Sequence, residues 1–344
     1  MDNTNKVSNS ISWYRIPLKG ESLRGLSQRS DLMGLLQACG HLGLLVSTGA
    51  AAFYANGRLP LPVLLFIIFL HGTFYKFILN GFHELCHSSV FKSKALNIFF
   101  LKLYSFLGWY DPVMFWTSHS EHHKYTLHQP DDLEVVMPIK YTLLAFLKSA
   151  FVNPIQFFIS LETNIRFSFG KISKKDMPGE WEVDDLFPPT EVGNRRRLFN
   201  WARTLLVGHG IIIGISIYTG LWLLPVLITF GRFYGGWLLF FCNNCQHVGL
   251  QDKVPDFRLC CWTVILNPFV QFLYWHMNYH IEHHMYAAVP CYNLGKLHRA
   301  IEYDLPKSPN GLYAVWKKIV ETLKKQKADP DYHYVPELPE TQKA

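Results

Sequence analysis

The stretch LMGLLQACGHLGLLVSTGAAAFYA, residues 32–55, carries no charged side chain. At about 1.5 Å per residue, a helix of that length spans the roughly 30 Å hydrocarbon layer of a bilayer. Working outward, the joint NGRLP (56–60) separates it from a second apolar run, 61–79, in which Lys76 stands late enough to snorkel toward the interface. The two runs predict a hairpin. The pattern recurs at 204–219 and 222–242, apolar apart from Arg232 and joined by a very short turn at Gly220, which predicts a second hairpin. Two hairpins return the chain to its starting side. Of the 33 Lys and Arg, all but Arg58, Lys76 and Arg232 then share one face, which the positive-inside rule makes cytosolic.

Three further apolar stretches, 95–116, 141–161 and 261–275, are interrupted by Lys102, Asp111, Pro112, Lys148, Pro154 and Pro268. Such interruptions favour interfacial or re-entrant helices over full spans. Residues 167–200 are rich in charge, Pro and Gly, and VWKKIVETLKKQK (315–327) reads as an amphipathic surface helix. The expected fold is an all-α integral membrane protein with four transmembrane helices in two hairpins, interfacial helices and a cytosolic helical cap holding a metal site. Its segments are a cytosolic N-terminal segment (1–31), a membrane domain (32–300) and a cytosolic C-terminal tail (301–344).

Composition agrees with this reading. The 344 residues are 49% hydrophobic and 15% aromatic, more than a soluble domain needs, while 17% charged residues leave material for a cap. The net charge of +7 does not point to nucleic acid, because the basic residues are scattered and no nucleic-acid motif accompanies them. The seven cysteines (Cys39, Cys86, Cys242, Cys245, Cys260, Cys261, Cys291) form no even framework and are read as reduced; Cys242 and Cys245 lack a second such pair to complete a zinc site. The first 31 residues are polar and mixed in charge, unlike a cleavable signal peptide.

The 16 histidines are informative by placement. HELCH sets His83 and His87 at i and i+4 just after the second apolar run. HSEHH gives His119, His122 and His123; HIEHH gives His280, His283 and His284; NNCQH offers Asn243 and His247, again at i and i+4. On a helix such spacings share a face, and the topology brings all four pieces to the cytosolic membrane boundary. Lone membrane-edge histidines such as His41 and His71 are read as packing or hydrogen-bonding residues instead. Nine imidazoles exceed the three or four ligands of one zinc and suit two ions. Imidazole fits Fe, Zn, Cu and Ni alike; two irons could activate O2, whereas zinc could only polarise water or a carbonyl. Glu84, Glu121 and Glu282, inside the boxes, could accept the outer N–H of a ligand histidine and fix its tautomer.

With HxxxH (83–87) and two HxxHH boxes (119–123 and 280–284) around two hairpins, the chain resembles the membrane fatty acid desaturase family over roughly residues 60–300. HHKYTLHQPDD, NCQHVG and HIEHHMYAAVPCYNL are similar as well. The resemblance implies a non-haem centre of two Fe ions with O2 as co-substrate. By residue, it implies His83, His87, His119, His122, His123, His247, His280, His283 and His284 as ligands, and Asn243 as the polar residue reaching a metal through water. His128 and His276 have no clear place in that set and are candidates for supporting positions.

The implied reaction is O2-dependent insertion of a C=C bond into a fatty acyl chain. The same site could instead support hydroxylation, epoxidation or oxidative decarboxylation to a terminal alkene; a zinc-dependent membrane hydrolase and a metal transporter are the readings from other classes. Residues 109–116 supply aromatic material for an apolar channel or for an interfacial belt. No fused haem, flavin or ferredoxin motif is present, so electrons must come from a separate protein, cytochrome b5-like or ferredoxin-like. Arg195, Arg196 and Arg197 could dock such a carrier or a lipid headgroup. The expected partners are thus the bilayer, the acyl substrate and that carrier. The expected location is a multi-pass membrane protein with cytosolic termini, in the endoplasmic reticulum of a eukaryote or the inner membrane of a bacterium.

Overall fold

The computed structural model describes residues 10–139 and 141–340; the expectations for residues 1–9 and 341–344 lie outside the described residues. Among the described residues the chain is helical, with isolated β-bridges and no strand. Three helices are long and apolar enough to cross a membrane: Asp31–Ala55, Leu61–Cys86 and Val192–Thr219. The first is started by Ser30, whose hydroxyl accepts from Met33 N at 3.3 Å. It ends at Asn56, and Leu59 N returns to Ala55 O at 2.9 Å to form the expected hairpin turn. Leu36, Val46, Leu65, Phe66, Ile211 and Ile217 stand exposed on these helices, the apolar outer surface that lipid contact requires. His41 and His71 hydrogen-bond inside the bundle as expected, each to a carbonyl, Phe74 O and Leu227 O, at 3.0 Å.

The second of these helices runs past the predicted 61–79, relaxing at Phe77 and continuing to Cys86. This overshoot lifts His83 clear of the apolar run. The third begins at Val192, well before the predicted residue 204.

The fourth predicted span, 222–242, is not a continuous helix. Helical pieces Leu223–Leu227 and Trp237–Asn243 flank a 3-10 turn at Gly231–Phe233 and an extended joint at Tyr234. The breakers were in the sequence: Pro225 lacks an N–H, and Gly231, Gly235 and Gly236 favour irregular backbone. The freed backbone groups pair with a neighbouring segment, Asn153 N with Phe233 O and Gly235 N with Phe151 O, both at 2.7 Å. Within a bilayer, irregular backbone is tolerated only when satisfied this way. Arg232 donates to Gly108 O at 2.7 Å and Trp109 O at 3.1 Å.

Gly235 makes this segment fit. Its φ is +70°, and a Cβ there would meet Thr73 N at 2.6 Å and Gly72 C at 2.7 Å, backbone atoms that cannot turn aside. Gly235→Ala is therefore expected to destabilise the protein by at least about 1–3 kcal/mol. Thermal unfolding in detergent checks this, and an unchanged midpoint contradicts the packing described.

The other interrupted stretches break where their prolines stand. Residues 95–116 divide into Lys94–Gly108 and Pro112–Tyr125, hinged at Trp109, with Asp111 Oδ1 accepting from Val113 N and Met114 N at 2.8 Å. Residues 141–161 give Leu143–Ala150 and Pro154–Ser168, while 261–275 is helical only at Pro268–Leu273. The amphipathic helix forms at Leu312–Lys325, burying Val315 and Ile319. The main core joins the long helices to the segment after residue 257, with Tyr104 and Trp275 fully buried and the Trp275 indole N–H bonded to His41 at 3.1 Å.

Candidate metal centre

The nine histidines sort into two adjoining groups. Donor atoms of His83, His87, His119, His123 and His283 all lie within 4.8 Å of one another, as do those of His247, Cys261, His280 and His284. His122 belongs beside the second group, its ring centroid 5.2 Å from His247 and 5.0 Å from His284. Each HxxHH helix serves both groups with opposite allocation. Pro112–Tyr125 gives its i, i+4 pair, His119 and His123, to the first and His122 to the second. His280–Met285 gives His280 and His284 to the second and His283 to the first. The rings of His123 and His284 stack at 4.3 Å where the groups meet.

The outer nitrogens fix the tautomers. His119 Nδ1 donates to Glu134 Oε1, and His122 Nδ1 to Asp132 Oδ2, both at 2.8 Å. His247 Nδ1 donates to Cys260 O at 2.9 Å, and His284 Nδ1 to Thr126 Oγ1 at 3.1 Å, while the Thr126 hydroxyl donates to His122 O at 2.7 Å. With the proton on Nδ1, each of these rings turns a bare Nε2 lone pair inward. Burial raises Glu134 and Asp132, but their histidine partners outweigh it and hold both below the ordinary carboxylate range. Burial lowers His122, yet Asp132 more than offsets this and raises it. Burial together with neighbouring rings drives His247 and His283 down to about 3, and His87, His123, His280 and His284 well below the imidazole range. These six rings are thus neutral, the form that ligates metal.

Inside, Nε2 faces Nε2: His83 to His283 and His247 to His280 at 3.0 Å, His119 to His123 and His280 to His284 at 3.1 Å. His280 can donate one proton at most, yet two bare lone pairs face it. His87 Nε2 is buried with no partner at all. Two nitrogens sharing one ion at about 2.1 Å, roughly at right angles, stand about 3.0 Å apart. The donor set therefore fits two cations, one per group, and uncompensated lone pairs in so dry a site are otherwise costly.

The other expected site residues are distributed as follows. Glu282 is fully buried, accepting from Thr263 Oγ1 and from His298 Nδ1, both at 2.5 Å, and it anchors the His280–Met285 helix. Glu84 is buried with neither oxygen hydrogen-bonded; Oε1 stands 3.3 Å from His283 Nδ1 without forming a hydrogen bond in this geometry. Glu121 faces outward and pairs with Lys124 at 2.6 Å, so it supports no ring; it sits on the opposite side of the helix from His119 and His122. His128 bonds the backbone at Thr126 O, 2.9 Å, and His276 bonds Gln271 Nε2 at 3.1 Å; neither enters the groups. Asn243 Oδ1 accepts from Asn80 Nδ2 at 3.4 Å, one turn before His83.

Sequence reasoning missed Asp132, Glu134, Thr126, Thr263 and His298. It also missed Cys261, whose sulfur is 3.7 Å from His247 Nδ1 and within 4.8 Å of donor atoms of His280 and His284. Residues near the N-terminus cover the site as well. Trp13 stacks on Phe257 at 4.1 Å, Phe257 lies 5.6 Å from His284, and Arg15 donates to Met285 O at 2.8 Å.

A family model described as Fatty acid desaturase matches residues 59–316, a range that holds every histidine of both groups. No curated protein matches the chain.

Proposed function

The chain belongs to the fatty acid desaturase family, and on that premise we propose that it is an O2-dependent di-iron membrane enzyme that inserts a C=C bond into a fatty acyl chain. The observation that carries this reading is the pair of histidine groups with inward Nε2 lone pairs, sharing two helices. The proposed ligands are His83, His87, His119, His123 and His283 for one iron and His122, His247, His280 and His284 for the other, with Asn243 reaching the site through water. Two irons held there would supply the reduction of O2 to water that is coupled to removal of two hydrogens from neighbouring methylenes, with two electrons and two protons from outside.

The protein's own residues do the rest. Asp132 and Glu134 keep the protons of His122 and His119 on the outer nitrogens, so the inner ones stay available. Phe115 lies against the rings of the first group, 4.6 Å from His119 and 5.5 Å from His83, with Phe82 packed against it at 4.9 Å, and the pair would exclude water from the side where an alkyl chain arrives. Electrons are proposed to come from a separate carrier protein. The proposed topology keeps both termini cytosolic, with the broken 222–242 segment completing the second hairpin and residues 301–344 as the tail.

Hydroxylation, epoxidation and decarboxylation use the same donor set, and mass spectrometry of new lipids in an expressing host separates them. A product two hydrogens lighter than its substrate is the expected result. A product that gains oxygen or loses a carbon contradicts desaturation, and no oxidised lipid under O2 contradicts the enzyme class.

A further inference from the structure

A cavity of about 480 Å³ lies between the Pro112–Tyr125 and Pro154–Ser168 helices, within the size range of small-molecule sites. Part of its wall is the metal centre's own jacket: Phe82, Phe115, the Glu134 that holds His119, and the Ser118 that donates to Glu134. At another point of its lining stands Arg232. One of its terminal nitrogens is used on Gly108 O and Trp109 O, and the guanidinium carbon sits 4.2 Å from the Tyr110 ring centroid. Among the described residues Arg232 has no ion pair, and its Nε and other terminal nitrogen make no hydrogen bond.

The cavity's carboxylates do not neutralise it. Glu134 is engaged by His119 and Ser118, and Asp176 by Arg166 and Ser173. Asp111 caps a helix with Oδ1, and burial pushes its carboxyl up to about 7. A guanidinium is always charged, and its fork matches a planar carboxylate. Here it is held in place by two carbonyls and a ring, and it lines a space that Phe82, Phe115 and Phe167 share with polar side chains and with Lys175, which pairs with Glu162.

We propose that Arg232 anchors the carboxylate of a free long-chain fatty acid in this cavity and that the enzyme measures the chain from that end. The proposal rests on the acyl-oxidising reading above and names its substrate class: the free acid, rather than a coenzyme A thioester or a phospholipid ester, neither of which has that carboxylate. The spacing is fixed by a run of rings. Arg232 lies over Tyr110, Tyr110 stacks on Phe82 at 4.9 Å, Phe82 meets Phe115 at 4.9 Å, and Phe115 meets His119 at 4.6 Å. The carbons delivered to the metals are therefore set by their count from the carboxyl group, whatever the chain length.

The test is equilibrium binding of radiolabelled hexadecanoic acid and of its methyl ester to the purified holoenzyme and to Arg232→Gln and Arg232→Lys, with metal content as the check on folding. The wild type should prefer the acid. Arg232→Gln should bind the acid at least about tenfold more weakly, the loss of a charge-assisted hydrogen bond, while its affinity for the ester is unchanged and Arg232→Lys recovers part of the difference. Dodecanoic, hexadecanoic and octadecanoic acids should then be oxidised at the same carbon counted from the carboxyl end. Equal wild-type affinity for acid and ester overturns the proposal even if Arg232→Gln fails to fold. So does equal weakening of both ligands in that variant, a position of oxidation that follows the methyl end, or preferential use of the thioester. Binding with no oxidation of any acyl substrate would instead refute the reaction and leave the anchor standing.

Discussion

Replacing His283 with alanine is expected to abolish product, by more than about a hundredfold, and to lower bound iron from two per chain toward one. Losses of ten- to a hundredfold are typical even for residues that only support a ligand, and His283 is proposed as a ligand itself. Its ring is 1% exposed, its Nε2 is 3.0 Å from that of His83, and its centroid is 4.8 Å from His87 and 4.9 Å from His123. It is the one ring that the His280–Met285 helix contributes to the first group. The second group keeps His122, His247, His280 and His284, so the remaining iron should stay. Membrane insertion is unaffected because no candidate span contains the residue. Iron per chain and product yield, measured on the same membranes, check this; retained product refutes the ligand assignment.

Asp132→Asn should act on the other iron without touching either metal's proposed ligands. The Asp132 carboxylate, 0% exposed, accepts from His122 Nδ1 and Leu127 N through Oδ2, both at 2.8 Å, and from Glu134 N through Oδ1 at 2.9 Å. An amide in that place has one oxygen for three donors, and its NH2 group must face an N–H. Either His122 gives up the tautomer that bares Nε2, or the 127–134 loop shifts and takes Glu134 away from His119. A ten- to hundredfold weaker second iron is expected, with a loss of stability of about 1–3 kcal/mol from the unsatisfied groups. Titration with a chelator, followed by iron analysis, should release the second iron at lower chelator concentration than in the wild type. Unchanged release would mean that Asp132 serves the loop alone.

These two residues mark what the sequence disclosed and what it did not. His283 was legible because three rings at i, i+3 and i+4 have few other reasons to stand beside an apolar run. The division of each triplet between two metals was not, since it depends on how the helices face one another. Asp132 and Glu134 lie in the HHKYTLHQPDDLE stretch with no periodicity of their own. Only the turn at residues 125–132, where His128 N and Asp132 N bond back to Tyr125 O and His128 O, swings their carboxylates under His122 and His119. His298 meets Glu282 from a separate helix. Glu121 shows the opposite limit: it sits inside a box, yet it points at Lys124 and water. The first three long helices were readable because uninterrupted apolar runs have one stable form in lipid. The 222–242 stretch misled because overall apolarity outweighed Pro225, Gly231, Gly235 and Gly236, each of which was visible and each of which breaks it.

The central claim is that two iron ions share this histidine centre, and it is tested most directly by metal analysis of the purified, detergent-solubilised chain. The account predicts two irons per chain, removed by chelator together with all acyl oxidation and restored with it on adding Fe(II). One zinc per chain, with activity that survives iron removal, would contradict it.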